Sequence, residues 1–170
     1  MNCPSCGHEN IDGSDRCENC LAPFRQLDIP SADAAEGLAR SAMEDNLGRL
    51  ELDQMISVAP DTSALEVAQL MKTTNSGCAL VIENGKLLGI FTEHDVLQRM
   101  AGVDRELDGV TVKELMSPNP ETLHEKDSVA EAVNKMSLGR YRHIPFVRSD
   151  GSYAVCSIRS VLKYLAREDW

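Results

Sequence analysis

The chain of 170 residues is 42% hydrophobic, 26% charged and only 4% aromatic, the composition of a globular protein with an aliphatic core and not of a disordered or fibrous one. Seventeen Lys and Arg against twenty-seven Asp and Glu leave a formal net charge of -10, so the surface repels the phosphates of DNA, RNA and anionic lipid, and no nucleic-acid partner is expected. The longest purely apolar stretches, such as Cys78 to Ile82, fall far short of the roughly 20 residues that cross a bilayer, and no membrane partner is expected either. The opening Met1-Asn2-Cys3-Pro4-Ser5-Cys6 has no basic segment leading into an apolar one, so the expectation is a cytoplasmic protein without a secretory signal.

The first element is a cysteine knuckle. Cys3, Cys6, Cys17 and Cys20 form two C-x2-C pairs separated by ten residues. Four thiolates so spaced can close a tetrahedron around Zn(II), or around iron in a rubredoxin-like knuckle, at about 2.3 Å per sulfur. Ile11, Leu21 and Phe24 are the large apolar side chains of the segment, so metal binding must supply most of its folding free energy. Disulfides are disfavoured in a cytoplasmic chain, and haem attachment would need a His directly after the second Cys, where Gly7 stands. The stretch from Cys3 to Phe24 resembles the small zinc-ribbon modules of many prokaryotic proteins, which implies a structural metal and an attachment role. Cys78 and Cys156 lie instead in β-like apolar runs and read as buried structural thiols.

Residues 25–49 read as a linker, Arg25 to Pro30, followed by an Ala-rich amphipathic helix from Ser31 to Leu47 with Ser31 or Asp33 as N-cap. From about Leu52 the chain repeats itself with an offset near 65 residues. Ser63-Ala64-Leu65-Glu66 and Ser128-Val129-Ala130-Glu131 are both capping-box starts. Each is followed by an apolar stripe, Ala64, Val67, Ala68 and Met71 in one copy and Val129, Ala132, Val133 and Met136 in the other. Strands are expected at 78–82 and 144–147, turns at Asn84-Gly85 and Asp150-Gly151, return strands at 87–91 and 153–156, and closing helices at 93–100 and 158–166. In the closing helices the expected stripes are Val96, Leu97 and Met100, and Val161, Leu162 and Leu165. With short leading strands at 56–58 and 122–123, each copy reads β-α-β-β-α. The expected organisation is a knuckle (1–24), a linker and helix (25–49), and two repeats (50–110 and 111–170) packed about a pseudo-twofold axis, an α+β fold.

Three stretches carry a family resemblance: Val58 to Ser63, Gly85 to Leu97, and Arg142 to Val147 with Asp150-Gly151. Their order, spacing and duplication resemble tandem cystathionine β-synthase (CBS) domains over nearly all of residues 52–167. The resemblance implies a non-enzymatic regulatory module whose clefts between repeats bind adenosine-containing ligands such as AMP, ADP, ATP or S-adenosylmethionine. It also implies a homodimer built through the CBS modules and an unidentified protein partner that reads the ligand state.

Thr92 ends a strand and opens a helix with Asp95 three positions on, so both project from one helix N-terminus. A carboxylate there can accept hydrogen bonds from a ribose diol, but taken alone the residues read first as a simple helix cap worth about 1 kcal/mol. The resemblance, whose G-x-x-T-x-x-D motif is met by Gly89, Thr92 and Asp95, favours the ribose role. The second repeat offers Ala154, Ser157 and Ser160 at these positions and lacks the carboxylate, so one competent cleft per chain is expected. Arg140, Arg142, His143 and Arg148 form a basic patch in an acidic chain. In CBS pairs this position faces the other repeat's ribose motif, which implies that Arg142 and His143 hold phosphates; the competing reading is a solvated strand entrance. The alternative function is an iron-binding redox or metal-sensing protein with the repeats as a dimerisation scaffold.

Overall fold

The computed structural model describes residues 8–11, 16–20, 37–101 and 107–166. Helix α1 (Gly37–Glu44) ends before the expected Leu47; residues 31–36, with the candidate caps Ser31 and Asp33, lie outside the described residues. It lays Leu38 and Ala42 against the core of the second repeat. The helix stops short of Leu47 because the second repeat captures the backbone: Asn46 bridges to Ser128, and the N–H groups of Leu47 and Gly48 donate to the carbonyls of Asp127 and Glu125. Leu47–Arg49 then form a single 3-10 turn.

The first repeat runs β1 (Ser57–Val58), α2 (Ala64–Thr74), β2 (Cys78–Glu83), β3 (Lys86–Thr92) and α3 (Glu93–Asp95), which continues as a π-helical turn over Val96–Ala101. A short helix α4 (Val112–Leu115) and strand β4 (Ser117–Pro118) lead into β5 (Leu123–His124), α5 (Val129–Gly139), β6 (His143–Val147), β7 (Tyr153–Ser157) and α6 (Ile158–Leu165). The sheets are ordered β1-β2-β3-β4 and β5-β6-β7, each opening with a parallel pair and continuing antiparallel. The expected β-α-β-β-α order is present in both copies, with α4 and β4 added between them.

Apolar side chains divide into two repeat cores with exchanged lead-ins. Leu47 and Leu50, ahead of β1, pack in the core of the second repeat with Val129, Met136, Ile144 and Phe146. Val112 and Leu115, ahead of β5, pack in the core of the first repeat with Val67, Met71, Val81 and Phe91. Cys78, Leu80 and Ile90 form a third cluster with Tyr153 and Val155, so the facing sheets of the two repeats share apolar surface. This reciprocal exchange makes each repeat incomplete without the other.

Three local expectations change. Ser128 accepts the Glu131 N–H at 3.1 Å as a cap, whereas Ser63 makes no side-chain cap bond, its backbone being bridged to Thr111. Asn84 and Gly85 both have positive φ (50° and 77°), the two-residue hairpin geometry, but in the second turn Gly151 alone does, because the Asp150 carboxylate instead accepts the N–H and hydroxyl of Ser152. Leu97 and Leu162, expected to share apolar stripes with Val96, Met100 and Val161, are 65% and 58% exposed. The inward positions are Val96 and Met100 on the π-helical turn, and Val161 and Tyr164 on α6.

Candidate functional site

A cleft of about 510 Å3 opens between the repeats, within the range of about 300–1,000 Å3 typical of small-molecule sites. Thr92, Asp95, Arg142 and His143, the four residues singled out from sequence, all line it. They arrive from two repeats, Thr92 and Asp95 from the junction of β3 and α3, His143 from the start of β6 and Arg142 from the bend just before it. Ile90, Leu97, Pro120 and Pro145 supply apolar walls.

Asp95 is 4% exposed, an unusual place for a carboxylate unless its oxygens are satisfied. Its Oδ2 accepts the Thr92 N–H at 2.9 Å and the Thr92 hydroxyl at 2.7 Å, while the Asp95 N–H donates to Thr92 Oγ1 at 3.4 Å. The cap read from the sequence therefore exists, and it exists on the wall of the cleft. Ser117 donates to Oδ1 at 3.3 Å, and Arg99 Nε lies 3.6 Å from the same oxygen. Arg99 Nη1 also donates to the carbonyls of Leu115 and Met116 at 2.6 and 2.8 Å. One guanidinium thus ties the Asp95 carboxylate to the segment that joins the repeats.

Two arginines and a histidine stand on one side of the cleft. Among the described residues neither Arg140 nor Arg142 has an ion pair. Both arginines are exposed to solvent. His143 lies over Gly77, and its imidazole is mostly buried; burial pushes its pKa below the ordinary 6.5, Arg159 and Arg142 act in the same sense, and Glu93 and Asp53 oppose them.

Sequence reasoning missed Glu121 and Tyr141, which also line the cleft. The Tyr141 hydroxyl donates to Glu121 Oε2 at 2.6 Å, and Lys135 pairs with Oε1; these bonds hold the Glu121 carboxyl below its usual range. Ser117 was missed as well, although Thr111 and Glu114 three positions apart signal the short helix that delivers it.

The second cleft shrinks to about 20 Å3. Ser157 and Ser160 bond each other at 3.0 Å, Ser157 donates to Asp53 at 3.2 Å, and Lys163 pairs with Asp53 at 3.2 Å and Glu51 at 3.3 Å. Cys78 borders this remnant and Cys156 lies in the core; burial raises both thiols to about 12, so they are inert.

Of the four knuckle cysteines, Cys17 is buried and Cys20 exposed, while Cys3 and Cys6 lie outside the described residues. The Asn10 side chain accepts the Glu18 N–H at 2.9 Å and donates to the His8 carbonyl at 2.7 Å, cross-linking the two described stretches. Among the described residues no group of three or more His, Cys, Asp or Glu is arranged to hold a metal ion. Within them, too, no helix is long and apolar enough to cross a membrane.

Two β-α-β-β-α units facing each other across a mixed polar and apolar cleft define a paired-repeat α+β module. The chain belongs to the CBS domain family, whose model matches residues 47–102 and again 112–167. It is 32% identical over 101 residues to the CBS domain-containing protein CBSCBSPB5 of Arabidopsis thaliana, covering 59% of this chain but 18% of that protein. The chain thus spans about a fifth of the length of this relative. Among solved structures, the CBS domain pair of protein MJ0100, crystallised with 5′-methylthioadenosine and S-adenosyl-L-methionine, superposes with a TM-score of 0.62 at 21% identity, covering 71% of this chain and 95% of that one. CBSX2 in complex with AMP superposes with a TM-score of 0.58 at 20% identity, again covering 71% and 95%. At these identities the likeness establishes the shared fold.

Proposed function

We propose that the chain is a regulatory module that binds one adenosine-containing nucleotide in the cleft between its repeats. The observation that carries this reading is the meeting, in a single cleft, of a buried carboxylate at a helix start from one repeat and two arginines from the other. Asp95 and Thr92 receive the ribose diol, Ile90, Leu97, Pro120 and Pro145 shelter the base, and Arg142 with His143 meets the phosphates. The adenosine ligands of MJ0100 and the AMP of CBSX2 support this ligand class. To accept a diol, Asp95 must relax its bonds to Thr92, and Arg99 carries that change to the backbone of Leu115 and Met116. The exchanged lead-ins then report it to both cores, where a protein partner can read it.

Two further properties belong to this reading. Cys3, Cys6, Cys17 and Cys20 hold one structural Zn(II), or iron in the same four-thiolate geometry. The chain forms a homodimer through the CBS region.

Titration calorimetry of the full chain with AMP, ADP, ATP and S-adenosylmethionine tests the central claim. Asp95→Ala should weaken the bound nucleotide on the order of 5- to 150-fold, from loss of about 1–3 kcal/mol of hydrogen bonding. Ser160→Ala, in the closed cleft, should leave binding unchanged. Equal binding by wild type and the Asp95 variant returns that residue to a helix cap, and a large loss at Ser160 moves the ligand to the other cleft.

A further inference from the structure

Four residues other than glycine have positive φ among the described residues: Asn75, Asn84, Asn119 and Arg140. Asparagine tolerates the left-handed region because its short amide bonds the local backbone, whereas a long side chain gains nothing there and suffers its Cβ contact with the carbonyl. Arg140 is therefore the outlier of the set. Asn75 and Arg140 occupy the same place in the two repeats, each the left-handed residue that ends the first long helix, α2 or α5. That position favours Gly or Asn. In the first repeat it is filled accordingly, and the Asn75 N–H bonds back to the carbonyls of Met71 and Lys72. In the second it is filled by a cation that lines the cleft.

The guanidinium is exposed and, among the described residues, has neither an ion pair nor a side-chain hydrogen bond. Among the described residues no bond of its side chain explains the unfavourable backbone. Two carboxylates of the cleft are committed elsewhere, Glu121 to Lys135 and Tyr141, Asp95 to Thr92, Ser117 and Arg99, while Glu93, which also lines it, makes no ion pair with Arg140. Arg140 and Arg142 are two positions apart, and both line the cleft that holds the buried Asp95. Backbone conformations of this kind persist where the local chemistry of a site requires the side chain.

We propose that Arg140 is a specificity-determining residue that selects ligands with an extended anionic tail, favouring nucleoside di- and triphosphates over the monophosphate. The inference rests on the nucleotide reading of the cleft given above. Arg142 and His143 suffice for a single phosphate, and a second guanidinium two residues earlier adds a further charge for which a monophosphate has no matching group.

The test is calorimetry of the full chain in magnesium-free buffer with adenosine, AMP, ADP and ATP, comparing wild type with Arg140→Gly and Arg140→Asn. Both substitutions suit the left-handed backbone, so the variants should unfold at a temperature no lower than wild type. Wild type should bind ATP and ADP more tightly than AMP. Both variants should lose roughly 5- to 20-fold in ATP affinity while AMP and adenosine change less than about twofold. Unchanged selectivity in the variants, or an equal loss for AMP and ATP, overturns the assignment of Arg140 while leaving the nucleotide reading standing. Failure of wild type to bind any of the four overturns both.

Discussion

Gly77 lies directly beneath the imidazole of His143: a Cβ built at position 77 would sit 2.6 Å from Nε2 and 2.9 Å from Cε1. Gly77 of the first repeat thus holds open the space that a candidate ligand residue of the second occupies. Because the clash meets the end of a side chain and not the backbone, Gly77→Ala should push His143 off its rotamer at a cost of about 0.5–1.5 kcal/mol. Urea unfolding of a double-mutant cycle checks the cause, since the same substitution should cost almost nothing in a His143→Ala background. An undiminished cost there would mean that the methyl group disturbs something other than the imidazole.

The burial of His143 has a pH signature. Its folded-state pKa is lowered from about 6.5, so at mildly acidic pH the unfolded chain binds the proton and the folded chain resists it. The associated stability is complete above the unfolded value and is lost as pH falls from about 6.5 through the folded pKa. Wild type should therefore lose stability more steeply than His143→Gln between pH 7 and pH 5. Parallel profiles for the two proteins would show that the imidazole is not protected from protonation. An anionic nucleotide should draw the proton back, so its binding enthalpy should depend on the ionisation enthalpy of the buffer.

Metal analysis should find about one Zn or Fe per chain, abolished by Cys6→Ser or Cys17→Ser, with zinc giving colourless protein and ferric thiolate a red one. The repeats have their own apolar cores, so circular dichroism of the metal-free variants should retain the thermal transition of residues 47–166. Loss of that transition would mean the knuckle is part of the repeats' stability, and a metal content near zero in the native protein would end the metal reading.

How much of this was legible in the residues depended on distance along the chain. The S-x-x-E patterns at Ser63 and Ser128, the helical stripes after them and the Asn84-Gly85 turn are local patterns, and together they revealed the duplication. Thr92 and Asp95 were readable because three residues separate them. The exchange of lead-ins was not anticipated, although Leu47 and Leu50 match Val112 and Leu115 at the repeat offset, because each pair packs against a core that its own neighbours do not build. The pairing of Glu121 with Tyr141 spans 20 positions and has no local signature. Leu97 leaves the stripe it was expected to share with Val96 and Met100 because a helix wound with the wider π spacing no longer presents residues at the α-helical period.

Leu97 and Leu162 occupy equivalent positions of the two repeats, and both face outward at 65% and 58% exposure. Ile158 and Leu165 on α6 add further apolar surface at 40% and 38%. Leucines duplicated with the repeat and left uncovered on both copies fit an interface in which equivalent surfaces of two chains meet. Leu97 also borders the cleft, so a substitution there would confound assembly with ligand binding; Leu162 is free of that objection. Light scattering at micromolar concentration should give the mass of a dimer for wild type and of a monomer for Leu162→Glu, since a carboxylate introduced into an apolar contact must be desolvated without a partner. Because Leu162 is exposed within one chain, the monomeric variant should keep the wild-type circular dichroism spectrum. A wild-type monomer, or a Leu162→Glu protein that remains dimeric, would remove α6 from the interface.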